Sequence, residues 1–252
     1  MKINKEYLLP FLIYNKPITY NNIILYPVTM NDVIMFQTFS NSITVRKNSI
    51  FRNKQIIKMS YLDFLFYSFG NTDLENEYKI SDLSQYLFFA LQLLRLCCKD
   101  QEVKIFQGNI FINNEIVTSE IFDNLRRIII IQNEIDFDID EFLNYDTEQK
   151  LLNAQHSVNK EENQANIEDY IDSLIIAMNI SEERVMHMTI RKFWRYIKRY
   201  QLHEGYTIAK TGECSGMVSF KEPIKHWMAS LEVDDKYKNI KMDENELKSK
   251  VS

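Results

Sequence analysis

The chain has 252 residues, of which 45% are hydrophobic, 13% aromatic and 26% charged. Those fractions exclude a fully disordered or collagen-like chain and are enough for one large core or two smaller ones. A formal net charge of -5 and a pI near 5.5 argue against the whole chain being an electrostatic nucleic-acid binder.

The N-terminal stretch MKINKEYLLPFLIYNKP is apolar only briefly, contains Pro10 and lacks a small-residue cleavage site, so no signal peptide is expected. Residues 19–26 (TYNNIILY) read as two short strands around Asn21-Asn22, a hairpin signal that Pro27 ends. Thr29 is then the expected N-cap of a helix TMNDVIMFQTF, with Asp32 in its first turn. Residues 42–47 (SITVRK) alternate like a strand. Ser60 is placed to cap YLDFLFYSF, with Gly70 as the stop, and the polar stretch 71–79 reads as a loop.

Ser81-Asp82 opens the most apolar helix, LSQYLFFALQLLRLCC, which predicts a central place in the core. Residues 102–117 suggest a second hairpin, turning at Gly108 or at Asn113-Asn114. Ser119 is the expected cap of EIFDNLRRIIIIQN, whose four consecutive isoleucines predict burial on most faces. An acidic run follows, then a polar helix near 147–158 and a linker at 157–166. Beyond it, residues 167–178 and 189–200 read as helical, the latter with Ile190, Phe193, Trp194 and Ile197 on one side. Gly205, Gly212 and Gly216 cluster in the next segment.

With only 5 Gly and 4 Pro, the expected class is mainly α with a minor β component, α+β. The expected division is an N-terminal mixed region 1–156, a C-terminal helical region 167–231 and a tail 232–252.

The usual catalytic signatures are missing. The glycines never take a phosphate-cradling spacing, and there is no GxSxG elbow or HExxH. Four scattered histidines and no CxxC pair give no zinc set. The run Asp136, Asp138 and Asp140 fails as an EF-hand, because Glu141 and Thr147 stand where Gly and Glu are needed. Cys97 and Cys98, in an apolar helix, read as small hydrophobes; with Cys214 they make an odd count that suits a reducing compartment. No catalytic, cofactor or metal site is therefore expected. The longest apolar run, residues 86–98, is too short to span a bilayer, so a soluble intracellular protein is expected.

One constellation stands out. Arg191, Arg195, Lys198 and Arg199 fall at i, i+4, i+7 and i+8, a basic stripe opposite Phe193, Trp194 and Ile197. Such a stripe can be a solvated face, meet an acidic partner or follow nucleic-acid phosphates. These four are the candidate partner-binding residues, and the acidic overall charge argues against nucleic acid.

Three segments carry a resemblance. IILYPVTMNDVIMFQ (23–37), EIFDNLRRIIIIQN (120–133) and TIRKFWRYIKRYQLHEGYTIAKTGECSGMVSFKEPIKHWM (189–228) resemble parts of tail-assembly chaperones and related proteins of phages and prophages from low-GC Gram-positive bacteria. The resemblance implies a non-enzymatic protein of the host bacterial cytoplasm. It would cover the tape-measure protein, or another tail protein, until tube subunits polymerise around it, and it could self-associate. A virion structural protein (tail or head-completion) and a DNA-binding phage regulator using helix 189–200 are the alternatives.

Overall fold

The structure is a computed structural model that describes residues 3, 5–137, 139, 165–216, 218–220 and 223–231. The polar helix expected near 147–158, the tail 232–252, Asp138, Asp140 and most of the 157–166 linker lie outside the described residues. The chain divides into two compact units, Met1–Phe193 and Trp194–Ser252. Its elements are helices with two small antiparallel sheets, the mainly α, α+β class that the sequence predicts.

In the first unit, α1 (Lys5–Ile13) buries Leu8 and Leu12, one turn apart on the same face. Strands β1 (Ile18–Tyr20) and β2 (Ile23–Leu25) form the predicted hairpin. Asn21 and Asn22 both take positive φ, +48° and +61°, which Asn tolerates and which a two-residue hairpin turn requires. Three buried or half-buried amides then clamp β2 and its exit. Gln101 binds both backbone groups of Ile24, Gln132 Nε2 donates to the Leu25 carbonyl at 3.1 Å, and Asn133 Oδ1 accepts the Val28 N–H at 3.0 Å.

Two expectations fail just after the hairpin. Thr29 makes no side-chain cap; a 3-10 turn, Met30–Asp32, precedes α2 (Val33–Ser40), and the Thr29 backbone bridges to Thr189 instead. Residues 42–47 form no strand either. They hold a 3-10 turn, Asn41–Ile43, and the start of α3 (Lys47–Ile50). The hydroxyls of Ser42 and Thr44 donate back to the Phe39, Ser40 and Asn41 carbonyls, which keeps the backbone turning.

Helix α4 (Lys54–Lys58) is capped by Asn53. Ser60 caps α5 (Tyr61–Ser68) as predicted, its Oγ accepting the Asp63 N–H at 3.0 Å, and Gly70 follows at φ +68°. The expected loop 71–79 is a helix, α6 (Thr72–Tyr78), capped by Asn71. Its polarity misled because only Leu74 is buried. Glu75 on that helix accepts the Asp82 and Ser84 N–H groups, and the hydrogen bonds from Ser84 hold its carboxyl below the ordinary carboxylate range.

A 3-10 turn (Leu83–Gln85) leads into α7 (Tyr86–Cys98), which packs against α2, α5, β2 and β3 as the central helix. Cys97 and Cys98 are buried there, and burial pushes both thiols up, Cys98 to about 12. Both proposed turns of 102–117 are used. β3 (Val103–Phe106), β4 (Asn109–Ile112) and β5 (Glu115–Val117) form a meander through Gln107-Gly108 and Asn113-Asn114. Helix α8 (Ser119–Gln132) is capped one residue earlier than expected, by Thr118, whose Oγ1 accepts the Ile121 N–H. Ile128, Ile129 and Ile130 are all buried, as the unbroken apolar run predicts.

The first unit closes with α9 (Ile167–Met178), opened by an Asn166/Asp169 capping box, and α10 (Glu182–Met186), capped by Ser181. Residues 28–30 then pair with 188–190: Met30 N–H donates to the Met188 carbonyl and Ile190 N–H to the Val28 carbonyl, each at 2.9 Å.

The spine of the second unit is α11 (Ile190–Cys214), whose first turn belongs to the first unit. It runs well past the expected end at Tyr200. Gly205 and Gly212 lie inside it rather than in a loop, where intrinsic propensity alone would cost about 1 kcal/mol each. Side-chain bonds along the helix, such as Lys210 to Glu213 at 2.7 Å, accompany this extension.

Candidate functional site

Burial sorts the predicted basic stripe into different roles. Arg191 is only 4% exposed; its Nη1 donates to the Leu12 carbonyl at 3.2 Å and its Nε lies 3.6 Å from Glu134 Oε2. A cation so placed needs such partners to offset its lost hydration. The expectation that Arg191 belongs to a solvent-facing stripe is corrected: it ties the start of α11 to α1. Arg199 is half-buried and donates from Nη1 to the carbonyls of Trp227 and Ala229. Arg195 is half-buried and Lys198 exposed. Phe193 and Ile197 are buried as predicted, and Trp194 is half-buried.

Within the second unit, the segment after α11 returns along it. Val218 packs against Gly212, where an added Cβ would meet the valine at 3.7 Å. Further back, the His203 and Trp227 rings meet edge to face at 5.1 Å, Tyr206 and His226 at 5.0 Å, and His226 stacks on Trp227. The Met228 N–H donates to His226 Nδ1 at 3.2 Å, so that nitrogen carries the lone pair. Sequence reasoning had set these histidines aside. The spacing of His203 and Tyr206, one turn apart before a His-Trp pair, was the available signal. Around this packing, large apolar side chains stay exposed, among them Tyr200, Leu202, Met228 and Ile208, the last 70% exposed.

The first unit holds a polar cleft of about 300 Å³ that no sequence motif announces. Lys47, Ser60, Asp123, Arg126 and Arg127 are among its walls. Lys47 and Arg126 are 7% and 5% exposed. Lys47 Nζ donates to the Ile57 and Met59 carbonyls, and Arg126 Nε to the Ile43 carbonyl. The Arg126 guanidinium lies 3.6 Å from the Tyr61 ring centroid, a cation–π contact that fixes its plane. Burial pushes the Asp123 carboxyl up, against the opposing pull of Arg126, Lys47 and Arg127.

Among the described residues no group of three or more His, Cys, Asp or Glu side chains could hold a metal ion, and no helix is long and apolar enough to cross a membrane.

Residues 159–232 match the family model of the YomV second domain. The match marks that region alone, under a third of the chain, as phage-type. The YomV-like region takes in α9, α10, α11 and the returning segment, and so carries all four predicted partner-binding cations. No curated protein and no solved structure matches the chain.

Proposed function

We propose that this protein is a phage protein, a non-enzymatic tail-assembly chaperone that works in the host cytoplasm and binds the tape-measure protein. The observation that carries this reading is the exposed surface of the YomV-like region. Tyr200, Leu202 and Ile208 stand exposed on α11, Leu202 one turn beyond Lys198 and two turns beyond Arg195 on the same face, while Arg199 and the His-Trp packing hold the returning segment. Exposed apolar side chains beside cations suit an amphipathic helix with acidic flanks, the apolar groups supplying affinity and the cations orientation. The tail-chaperone resemblance of residues 23–37, 120–133 and 189–228 supports the choice of partner.

Co-expression with the tape measure of the same phage tests the reading. The tape measure should remain soluble and co-purify, and Arg195→Glu with Lys198→Glu should weaken the complex while leaving the circular dichroism spectrum unchanged. A tape measure that precipitates equally with and without this protein overturns it.

A further inference from the structure

Helix α11 carries two neighbouring stripes that are used differently. Arg199, His203 and Tyr206, at i, i+4 and i+7, hold the returning segment through Trp227, Ala229 and His226. Beside them, Arg195, Lys198, Leu202, Gly205 and Ala209 follow the alternating three- and four-residue steps of a coiled-coil seam. Leu202 is 42% exposed, Lys198 and Gly205 are exposed, and Arg195 and Ala209 are half-buried. No described residue lies within 4 Å of the place an added Cβ would take at Gly205, whereas Val218 lies against Gly212 and closes the far end of the seam.

The two halves of this seam differ in charge and in size. Arg195 and Lys198 stand with Leu202 in the first half, and Gly205 and Ala209 follow in the second, where Glu204 and Glu213 outnumber Lys210. Two such helices side by side in parallel would set Arg195 against Arg195 and Lys198 against Lys198, like charges that oppose association. A twofold axis passing between residues 203 and 204 turns the second helix end for end. It sets Leu202 of each copy over Gly205 of the other, the apolar stem of Lys198 over Ala209, and Arg195 beside Glu213.

We propose that a second copy of this chain docks on this seam, the two α11 helices running antiparallel. From Arg195 to Glu213 the contact is a strip about 28 Å long and about 10 Å wide on each helix. That is near the low end of specific interfaces, so the pair is reversible and depends on concentration. The second copy and the tape measure would compete for Leu202. The inference uses the surface assigned to the tape measure and not the assignment itself.

Light scattering after size exclusion tests it on the full chain alone, over loads of about 5–200 μM. With no tape measure present, a negative result leaves the chaperone reading standing. The mass should rise with concentration from 30.1 kDa toward twice that value. Leu202→Glu should keep it at the single-chain mass with an unchanged circular dichroism spectrum. Arg195→Glu should weaken the pair about tenfold, and adding Glu213→Arg should restore it, which neither a parallel pair nor a folding defect would allow. A single-chain mass at every concentration overturns the proposal, as does a dimer indifferent to Leu202→Glu or one that the exchange of charges fails to restore.

Discussion

Gln101 binds Ile24 as a neighbouring strand would: the Ile24 N–H donates to its Oε1 at 3.0 Å, and its Nε2 donates to the Ile24 carbonyl at 2.6 Å. One side-chain amide thus satisfies both groups on the outer edge of a two-stranded ribbon. Such ribbons are marginal by themselves in water. Gln101→Ala would leave a part-buried N–H and C=O without these partners, a cost of about 1–3 kcal/mol. Urea unfolding should show the midpoint falling with an unchanged slope; an unchanged midpoint would mean the amide is replaceable by water.

The cap of α8 makes a second test. Because Thr118 rather than Ser119 accepts the Ile121 N–H, Thr118→Ala should cost about 1 kcal/mol and Ser119→Ala less. Equal losses in urea midpoint would return the cap to Ser119.

The thiols give a third. Cys214 is exposed, while Cys97 and Cys98 are buried with their thiols pushed up. At pH 8 an alkylating reagent should label Cys214 alone in the native protein and all three after denaturation. The sign of the pH effect follows from the same shift. Folding holds the two thiol protons more tightly than the unfolded chain does, so this contribution is intact below the unfolded thiol value, near 8.5, and is lost as pH rises toward about 12. Cys98→Ala should flatten the alkaline fall in stability.

Glu75 works in the opposite direction. Its carboxyl is held below the ordinary range by hydrogen bonds from Ser84, with Asp82 adding another. Its contribution is therefore present above the unfolded carboxyl value and is lost as pH falls through the lowered folded one. An acid titration of stability should lose that component in Glu75→Gln; superimposable curves for the two proteins would show that the contacts add nothing.

What was legible in the sequence was local. Ser60 before an apolar run, the Asn21-Asn22 pair and the burial of Cys97 and Cys98 each follow from chemistry within a few residues. What was not legible depends on distant partners. Residues 42–47 alternate like a strand but pair with no strand among the described residues, and Val45 N–H donates to the Tyr61 hydroxyl instead. Arg191 looked solvent-facing because Leu12 and Glu134, which receive it, lie far off in the chain. The segment 120–133 is instructive in another way. Phe122, Arg126, Gln132 and Asn133 within it are all buried, and the last three hold backbone groups of residues 25, 28 and 43. That resemblance is carried by residues that build the fold.

The pairing of Val28 with Ile190 also sets an order of events during synthesis. The Val28 carbonyl leaves the ribosome roughly 160 residues before its partner, a wait on the order of ten seconds at about 5–20 residues per second. Through that interval the hairpin can be held by Gln101, Gln132 and Asn133 as each emerges, but the strand edge at residues 28–30 stays open until Met188 and Ile190 arrive. A nascent chain stalled before residue 188 would expose that edge, so termination between residues 30 and 188 carries an aggregation hazard that the chain with Met188 and Ile190 in place does not have.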